Sequence, residues 1–144
     1  MRPFKAYLID QKDGKTVAGF AQLNEEQLDQ GEVTIKVAYS SVNYKDALAA
    51  TGAGRIIRRH PCVGGIDMAG TVVRSTDARF REDDEVIATS YDIGVAHHGG
   101  YAEYGRVPAD WVVPLPKGMS LFDSMALGTA GYTAALGVVR MEEN

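Results

Sequence analysis

The chain has 144 residues, of which 45% are hydrophobic and 24% are charged, and a net charge of −4, a composition typical of one globular domain with a hydrophobic core. Acidic and basic residues are interspersed, so the charge pattern excludes an electrostatic surface for nucleic acid or for an anionic membrane. A single cysteine excludes an internal disulfide framework. The sequence has no apolar run of about 18 residues, which a membrane helix needs, and no apolar N-terminal leader of the kind found in signal peptides. We therefore predict a cytoplasmic protein.

Short β-strands separated by glycine turns are predicted over most of the chain. Val33, Ile35 and Val37 alternate with polar residues, which is the period of a strand with one buried face. Further strands, bounded by turn signals such as Gly99-Gly100, are predicted at Phe4–Ile9, Met68–Arg74, Glu85–Thr89, Tyr101–Val107 and Trp111–Pro114. Many short strands with such turns indicate a barrel or a sandwich rather than alternating βαβ units.

The last quarter of the chain is predicted to be helical. Ser120 and Asp123 have the three-residue spacing with which side chains satisfy the free backbone N–H groups at a helix start. A short helix is then predicted over Leu121–Leu127 and a longer one over Tyr132–Met141, with Gly128-Thr129-Ala130-Gly131 between them. The sequence ends without a glycine stop signal, which indicates a helix that is cut rather than completed.

Two segments carry most of the information about function. A polar cluster, Asn43-Tyr44-Lys45-Asp46, follows the predicted strand that contains Val33 and Val37. A glycine-spaced turn runs from Gly64 to Gly70. This pair resembles the substrate-domain core of the medium-chain dehydrogenase/reductase superfamily. Zinc alcohol dehydrogenases of that superfamily carry Cys-His in the first segment and Gly-His-Glu in the second, where this chain has Asn43-Tyr44 and Gly65-Ile66-Asp67. Thiolate and imidazole are the ligands that zinc prefers, so we predict no metal and a zinc-free reductase.

Further motifs extend the resemblance over essentially the whole chain. They are Asp84-Glu85-Val86-Ile87, the loop from His97 to Glu103, and the segment from Gly128 to Ala134. The run from Ser41 to Leu48, combined with Gly52-x-Gly54-x-Ile56-Ile57-Arg58, resembles the quinone-oxidoreductase-like branch that includes NADPH-dependent acryloyl-CoA reductases. The resemblance implies a mainly β fold with some α: a GroES-like, partly open β-barrel with peripheral helices over residues 1–128. It also implies a C-terminal helix, residues 129–144, that leads toward an absent Rossmann domain.

The resemblance further implies an activity. A full-length enzyme, expected as a homodimer, would reduce the carbon–carbon double bond of acryloyl-CoA to propionyl-CoA with NADPH as cofactor. This chain contains no Gly-x-Gly-x-x-Gly segment, whose helix N-terminus binds the dinucleotide pyrophosphate, so we expect it to bind NADPH weakly or not at all and to be inactive alone. A zinc-free quinone oxidoreductase, and a stand-alone barrel used for assembly, stay open as alternatives.

Residues of the polar cluster are candidates for the site. Tyr44 is interpreted either as an aromatic side chain packed at a helix start or as a contact of the cofactor, and the resemblance implies contact with NADPH. Asn43 is predicted to cap the helix that contains Ala47–Ala50, and it is also a candidate for the substrate pocket. Asp46, in the first turn, suits the helix dipole. Asp67 is predicted to hydrogen-bond backbone or an arginine.

Thr129 opens the terminal helix and has two interpretations. Its hydroxyl either meets only backbone or, as the resemblance implies, lies near the nicotinamide, so Thr129 is a candidate for cofactor binding. The helix is also expected to expose an apolar stripe made of Tyr132, Leu136 and Val139, which resembles the packing surface for a further domain.

Histidines and arginines complete the candidates. His97 matches a loop position that the resemblance places near the substrate pocket, but the histidines lack a third and fourth ligand at metal spacing. Cys62 is predicted to be a small buried apolar residue. Arg55, Arg58 and Arg59 form a basic cluster that is either a solvated loop surface or a site for the phosphates of coenzyme A, with Arg58 as the pocket candidate. The sequence assigns no catalytic residue.

Overall fold

The structure, a computed structural model, describes residues 2–143. Besides two short 3₁₀-helices, Glu25–Gln27 and Ala109–Trp111, the described chain contains eight strands and two α-helices. In chain order they are β1 (Phe4–Lys12), β2 (Lys15–Leu23), β3 (Val33–Tyr39), α1 (Tyr44–Thr51), β4 (Cys62–Val63), β5 (Asp67–Ser75), β6 (Glu85–Thr89), β7 (Tyr104–Val107), β8 (Val112–Pro114) and α2 (Leu121–Glu142).

A five-stranded antiparallel sheet forms the larger half of the fold, in the order β7-β3-β5-β6-β8. The predicted strand at β3 is confirmed, because Val33 and Ile35 are fully buried and Val37 packs against the same cluster. Thr34 departs from the predicted alternation, because it is buried on the opposite face. Bulges in the β3–β5 pairing shift the register twice and bend the sheet. Its core consists of Val33, Ile35, Met68, Val72, Phe80, Val86, Ala88, Ile93, Val107, Ala109 and Val112.

A three-stranded antiparallel sheet, in the order β2-β1-β4, covers a second core. The β1–β2 hairpin turns at Asp13 and Gly14, which both have positive φ, as a two-residue hairpin turn requires. The second core contains Phe4, Ala6, Leu23, Leu28 and Val63. A bridge between Ala6 and Ala102 links this sheet to the loop before β7, but the two sheets do not close. The predicted mainly β, partly open barrel is therefore confirmed.

Some strand predictions differ from the structure for identifiable reasons. The hairpin strand β2 was not predicted, because both of its faces are largely exposed and Ala18-Gly19 interrupts the apolar alternation. The two-residue strand β4 is too short to show a period. The strand predicted from Tyr101 begins only at Tyr104, because residues 99–103 follow the turns at Gly64 and Gly65 as a loop.

The terminal helix has a break at Gly128, whose φ of 51° and ψ of −160° are non-helical. Ser120 accepts a hydrogen bond from Asp123 N at 3.0 Å, so the predicted helix start is confirmed. The second helical segment resumes at Thr129, three residues earlier than predicted. Tyr132, 63% exposed, lies with Leu136 and Val139 in the expected apolar stripe, and both of those are about half exposed. Within residues 2–143, no helix has the length and apolar character needed to cross a membrane.

Candidate functional site

Four chain segments meet at the barrel edge where α2 is broken. They are the junction between β3 and α1, the start of β5, the loop after β6 and the break at Gly128. Asp46 joins the first two, because its Oδ1 accepts from Ile66 N at 3.0 Å and its Oδ2 accepts from Asn43 N at 2.8 Å. The latter bond also closes the first turn of α1, with Asn43 at the N-cap position as predicted.

Asp67 lies at the centre of this site and is completely buried. Its Oδ2 accepts from Ser41 Oγ, from Asn43 Nδ2 at 2.9 Å and from Thr129 N at 3.1 Å. Its Oδ1 accepts from Thr129 Oγ1 at 2.5 Å. Hydrogen-bond donors and the N-terminus of the second helical segment stabilise a buried carboxylate without a cation. Of the two predicted kinds of partner, the structure shows backbone, and the other donors are uncharged side chains rather than an arginine.

Thr129 links the buried Asp67 to Ser90 through its hydroxyl group. Its hydroxyl lies 2.9 Å from Ser90 Oγ, and Ser90 directly follows β6. Ser90 and Tyr91 both have positive φ, 63° and 48°, which costs non-glycine residues free energy. Backbone bonds hold this turn, since Ser90 N donates to Ile66 O at 2.9 Å and Ile93 N donates to Ser90 O at 3.1 Å.

A cavity of about 640 Å³ opens beside Ser90, between the sheet and α2. Tyr91 and Trp111 stand stacked in its wall, with ring centroids 5.2 Å apart and planes 7° from parallel. Apolar side chains form most of the remaining surface, and the hydroxyls of Ser90 and Ser124 are among its few polar groups. The complete lining consists of Ile87, Thr89, Ser90, Tyr91, Asp110, Trp111, Val113, Met119, Ser124, Leu127, Gly128, Gly131, Tyr132 and Ala135.

The predicted site residues Thr129, Asn43 and Tyr44 differ in how directly they are connected to this cavity. Thr129 is at its edge, bonded to Ser90, and Asn43 is one step further, bonded to Asp67. Tyr44 is the first residue of α1 and is 81% exposed, so it is not packed in the core. None of these three is itself part of the cavity lining.

His97 contacts the cavity wall from outside. Its ring meets Trp111 edge to face, with centroids 5.1 Å apart, and its Nε2 donates to Arg106 O at 2.7 Å. The neighbouring His98 is buried, and its Nδ1 accepts from Val63 N at 2.9 Å. Burial lowers the pKa of His98. Cys62 is completely buried, as predicted, and burial raises the pKa of its thiol to about 11.

The basic cluster is engaged in ion pairs on the surface. Arg58 pairs with Asp92, and Arg59 pairs with Asp29 at 2.6 Å. Asp29 Oδ2 also accepts from His98 N at 2.6 Å, which ties this loop to the loop before β7. Both guanidinium groups remain substantially exposed, so each keeps donors that face solvent.

A sequence profile described as the alcohol dehydrogenase GroES-like domain matches residues 29–117, more than half of the chain. The chain belongs to this family. The membership of the medium-chain dehydrogenase/reductase superfamily that we predicted from the polar cluster and the glycine-spaced turn is thereby confirmed.

Relatives of this GroES-like domain are longer proteins. The chain is 57% identical, over 122 residues, to the putative quinone oxidoreductase YhfP of Bacillus subtilis, covering 85% of this chain and 37% of the relative. It is 49% identical to the probable acrylyl-CoA reductase AcuI of Escherichia coli, covering 96% and 43%. The crystal structure of the yhdH oxidoreductase of Salmonella enterica in complex with NADP superposes with a TM-score of 0.95, at 50% identity, covering 96% and 43%. The chain thus spans about two fifths of the length of these proteins.

The positions that carry zinc ligands in zinc alcohol dehydrogenases have other roles in this GroES-like domain. Asn43 and Ile66 bond to Asp67 and Asp46, and within residues 2–143 no three His, Cys, Asp or Glu residues are grouped closely enough to hold a metal ion.

Sequence reasoning missed several residues of the site. Ser90, Tyr91 and Trp111 belong to no motif. Only their places, directly after β6 and directly before β8, put them at the barrel edge.

Proposed function

We propose that this chain is the substrate-side part of a full-length enzyme that reduces the carbon–carbon double bond of acryloyl-CoA to propionyl-CoA with NADPH. The observation that carries the proposal is the cavity beside Ser90 and Thr129, where apolar and aromatic walls meet a few hydroxyl groups. Planar conjugated groups with one polar edge suit such a cavity. The names of the relatives, an acrylyl-CoA reductase and an oxidoreductase in complex with NADP, support the choice of substrate and cofactor.

Two residues of this chain are proposed to contact the cofactor. The Thr129 hydroxyl lies at the cavity edge, and the exposed Tyr44 side chain is unhindered by core packing, so both fit a nicotinamide ring at the barrel edge. When bound, NADPH supplies a hydride to the β-carbon of the acceptor. The sequence has no Gly-x-Gly-x-x-Gly, so we propose that the pyrophosphate binds a second domain of the full-length enzyme. We also propose that the break at Gly128 marks the boundary between the catalytic domain, residues 1–128, and residues 129–144, which begin the connection between the two domains.

The residues of this chain would hold and orient the acceptor. With the acceptor bound, the apolar wall around Trp111 would keep water away from it, which would strengthen electrostatic interactions with the charge that builds on the thioester oxygen. His97 supports that wall through its contact with Trp111. Asn43 donates its amide hydrogens toward Asp67 and Asp46, so we propose that it positions the start of α1 at the pocket edge.

The arginine cluster is proposed to bind the phosphates of coenzyme A. Arg58 and Arg59 each keep exposed donors beside their acidic partners, and guanidinium groups bind phosphate oxygens well. In the full-length enzyme, Arg58→Ala and Arg59→Ala should weaken inhibition by free coenzyme A about tenfold each, with Arg74→Ala, another exposed arginine paired with an acid, as the control. Inhibition that is unchanged in both variants would exclude this site.

A quinone reductase is the second candidate, and the aromatic cavity wall favours it. Tyr91 and Trp111 offer flat surfaces of the kind on which a quinone ring packs, and the Bacillus subtilis relative is named a putative quinone oxidoreductase. Steady-state NADPH oxidation by the full-length enzyme, with acryloyl-CoA and with p-benzoquinone, distinguishes the two. We propose a homodimer in the cytoplasm for that enzyme, as the resemblance implies.

A further inference from the structure

The Ser90 hydroxyl, which borders the cavity, has one hydrogen-bond partner within residues 2–143. Ser90 Oγ lies 2.9 Å from Thr129 Oγ1, and Thr129 Oγ1 lies 2.5 Å from Oδ1 of the buried Asp67. Ser90 is half-buried and belongs to the cavity lining, so a ligand there can reach its side chain. Whether Ser90 donates or accepts toward that ligand depends on where the hydrogens of these three residues lie.

Asp67 is ionised in these surroundings, because hydrogen-bond donors surround its carboxylate. Oδ2 accepts from Ser41 Oγ, Asn43 Nδ2 and Thr129 N, and Oδ1 accepts from Thr129 Oγ1. Each of these donors favours the charged form, and so does the N-terminus of the second helical segment. A carboxylate carries no hydrogen of its own, so the hydrogen between Oδ1 and Thr129 Oγ1 belongs to Thr129.

The direction of the bond between Thr129 and Ser90 follows from this count. Thr129 has a single hydroxyl hydrogen, which its bond to Asp67 uses, and a hydrogen must lie between two oxygens that bond at 2.9 Å. Ser90 therefore donates to Thr129, and only the lone pairs of Ser90 Oγ remain for the cavity. Ser124, the other serine of the lining, has the same polarity, because its Oγ donates to Leu121 O at 2.7 Å.

We propose that Ser90 accepts a hydrogen bond from an amide N–H group of the ligand in the cavity, a role that rests on the proposed reductase function. Carbonyl oxygens only accept, so in this arrangement Ser90 does not bind the oxygen of a thioester or a quinone. Both molecules of the proposed reaction carry amides, the cofactor in its nicotinamide carboxamide and the substrate in the pantetheine arm of coenzyme A. Thr129, which is proposed to contact the nicotinamide, bonds to Ser90, so we expect the carboxamide to be the donor.

The backbone holds Ser90 in position for such a directional bond. Ser90 has a left-handed φ of 63°, its N donates to Ile66 O at 2.9 Å, and its O accepts from Ile93 N at 3.1 Å. These bonds fix the turn from which the side chain reaches Thr129. Asp67 is a positioning residue in this proposal, because it acts on the ligand only by setting, through Thr129, the direction of the Ser90 hydrogen.

The first test measures cofactor binding to the full-length enzyme without turnover. The 3-acetylpyridine analogue of NADPH has a methyl group in place of the amide nitrogen and keeps the carbonyl oxygen, so it lacks the proposed donor. Isothermal titration calorimetry gives the ratio of the Kd for the analogue to the Kd for NADPH. This ratio should be about fivefold lower in Ser90→Ala than in the wild type, the value of one hydrogen bond. Other differences between the two cofactors cancel in the comparison.

Ser90→Gly is the second variant for this test, because glycine adopts a positive φ without strain and also lacks the hydroxyl. Thr129→Val, which leaves the Ser90 hydrogen free to turn toward the ligand, should lower the ratio at least twofold. Thr129→Ser keeps the hydroxyl and should keep the wild-type ratio. Thr133→Val is the matched control, because Thr133 lies one turn along the same helix, is exposed and bonds only to Thr129 O, so the ratio should not change.

A second analogue tests the direction of the bond. The thionicotinamide analogue of NADPH keeps the amide N–H groups and has sulfur, a weaker acceptor, in place of the carbonyl oxygen. Because Ser90 has no hydrogen to donate to that oxygen, Ser90→Ala should leave the ratio of the Kd for this analogue to the Kd for NADPH unchanged. A ratio that changes for this analogue alone would show that Ser90 donates, and the proposal would be wrong.

A third measurement distinguishes the two sources of the amide. The acryloyl thioester of N-acetylcysteamine keeps one amide of the pantetheine arm, and the acryloyl thioester of an alkyl thiol of equal length has none. We expect the ratio of their kcat/KM values, at saturating NADPH, to be the same in the wild type and in Ser90→Ala. A ratio about fivefold lower in Ser90→Ala, with unchanged cofactor ratios, would assign the donor to the substrate and would uphold the acceptor role of Ser90.

The outcomes separate this inference from the proposed function. If the wild-type enzyme turns over and Ser90→Ala changes neither the cofactor ratios nor the thioester ratio, the acceptor role is wrong while the reductase function stands. A kcat about 100-fold lower in Ser90→Ala, with unchanged Kd values, would show a donor to the developing oxyanion and would also overturn it. If the wild type reduces no conjugated carbonyl compound but the cofactor ratios respond as expected, the proposed function is wrong and the bond to the cofactor stands.

Discussion

Gly128 is the residue at which substitution should disturb the site most directly. Its φ of 51° and ψ of −160° lie in a region that is essentially restricted to glycine. A Cβ atom there would lie 2.9 Å from Asp67 Oδ2 and 3.0 Å from Ser41 Oγ, closer than such atoms normally approach. Gly128→Ala therefore adds backbone strain of about 1–3 kcal/mol and disturbs the buried hydrogen bonds of Asp67, each worth about 1 kcal/mol.

The expected loss is about 3 kcal/mol in the free energy of unfolding. For 144 residues the entropy of unfolding is roughly 0.3 kcal/mol/K, so Tm should fall by about 10 °C. Thermal unfolding followed by circular dichroism measures this value. Gly137→Ala is the matched control, because a Cβ at that exposed helical position meets nothing within 4 Å, and alanine should raise stability by up to about 1 kcal/mol. A Tm for Gly128→Ala equal to that of the wild type or of the control would refute the reasoning.

Three further predictions concern individual side chains. Because burial raises the pKa of Cys62 to about 11, iodoacetamide at about pH 8 should label it at least 100-fold more slowly in the folded protein than in urea, and equal rates would contradict its burial. Burial lowers the pKa of His98 in the folded state below its unfolded value of about 6.5. As the pH falls through that value, the unfolded state therefore binds more protons than the folded state, and the free energy of unfolding should decrease from about pH 7 to about pH 5. His98→Asn, whose Oδ1 can still accept from Val63 N, should flatten this dependence, and an equal slope in wild type and variant would assign it to other groups. In the full-length enzyme, Tyr44→Phe should raise the KM for NADPH about fivefold, the value of one lost hydrogen bond, and unchanged steady-state constants would show that Tyr44 makes no such bond.

The parts of the fold that were predicted correctly have local causes. The apolar alternation of β3 and the Ser120–Asp123 pair are each visible within a few residues, and each specifies its element without help from distant segments. The β2 strand lacks such a pattern, because its stability comes from pairing with all of β1 rather than from a buried face of its own.

The site was only partly visible for the same reason. Asn43 and Thr129 were found through motifs, but their connection through Asp67 joins positions 24 and 62 residues apart. Ser90 carries no motif, and its importance arises from the turn after β6 and from its contact with Thr129, both of which depend on the tertiary structure. Single polar residues that act through such contacts have no periodicity for a sequence pattern to report.

The central claim is reduction of an acryloyl thioester by the full-length enzyme. Its most direct test is to incubate that enzyme with NADPH and acryloyl-CoA and to quantify propionyl-CoA by mass spectrometry against the NADPH consumed. We predict one propionyl-CoA for each NADPH oxidised and a higher kcat/KM for acryloyl-CoA than for p-benzoquinone. NADPH oxidation with the quinone alone, and no propionyl-CoA, would contradict the claim and assign the chain to a quinone reductase.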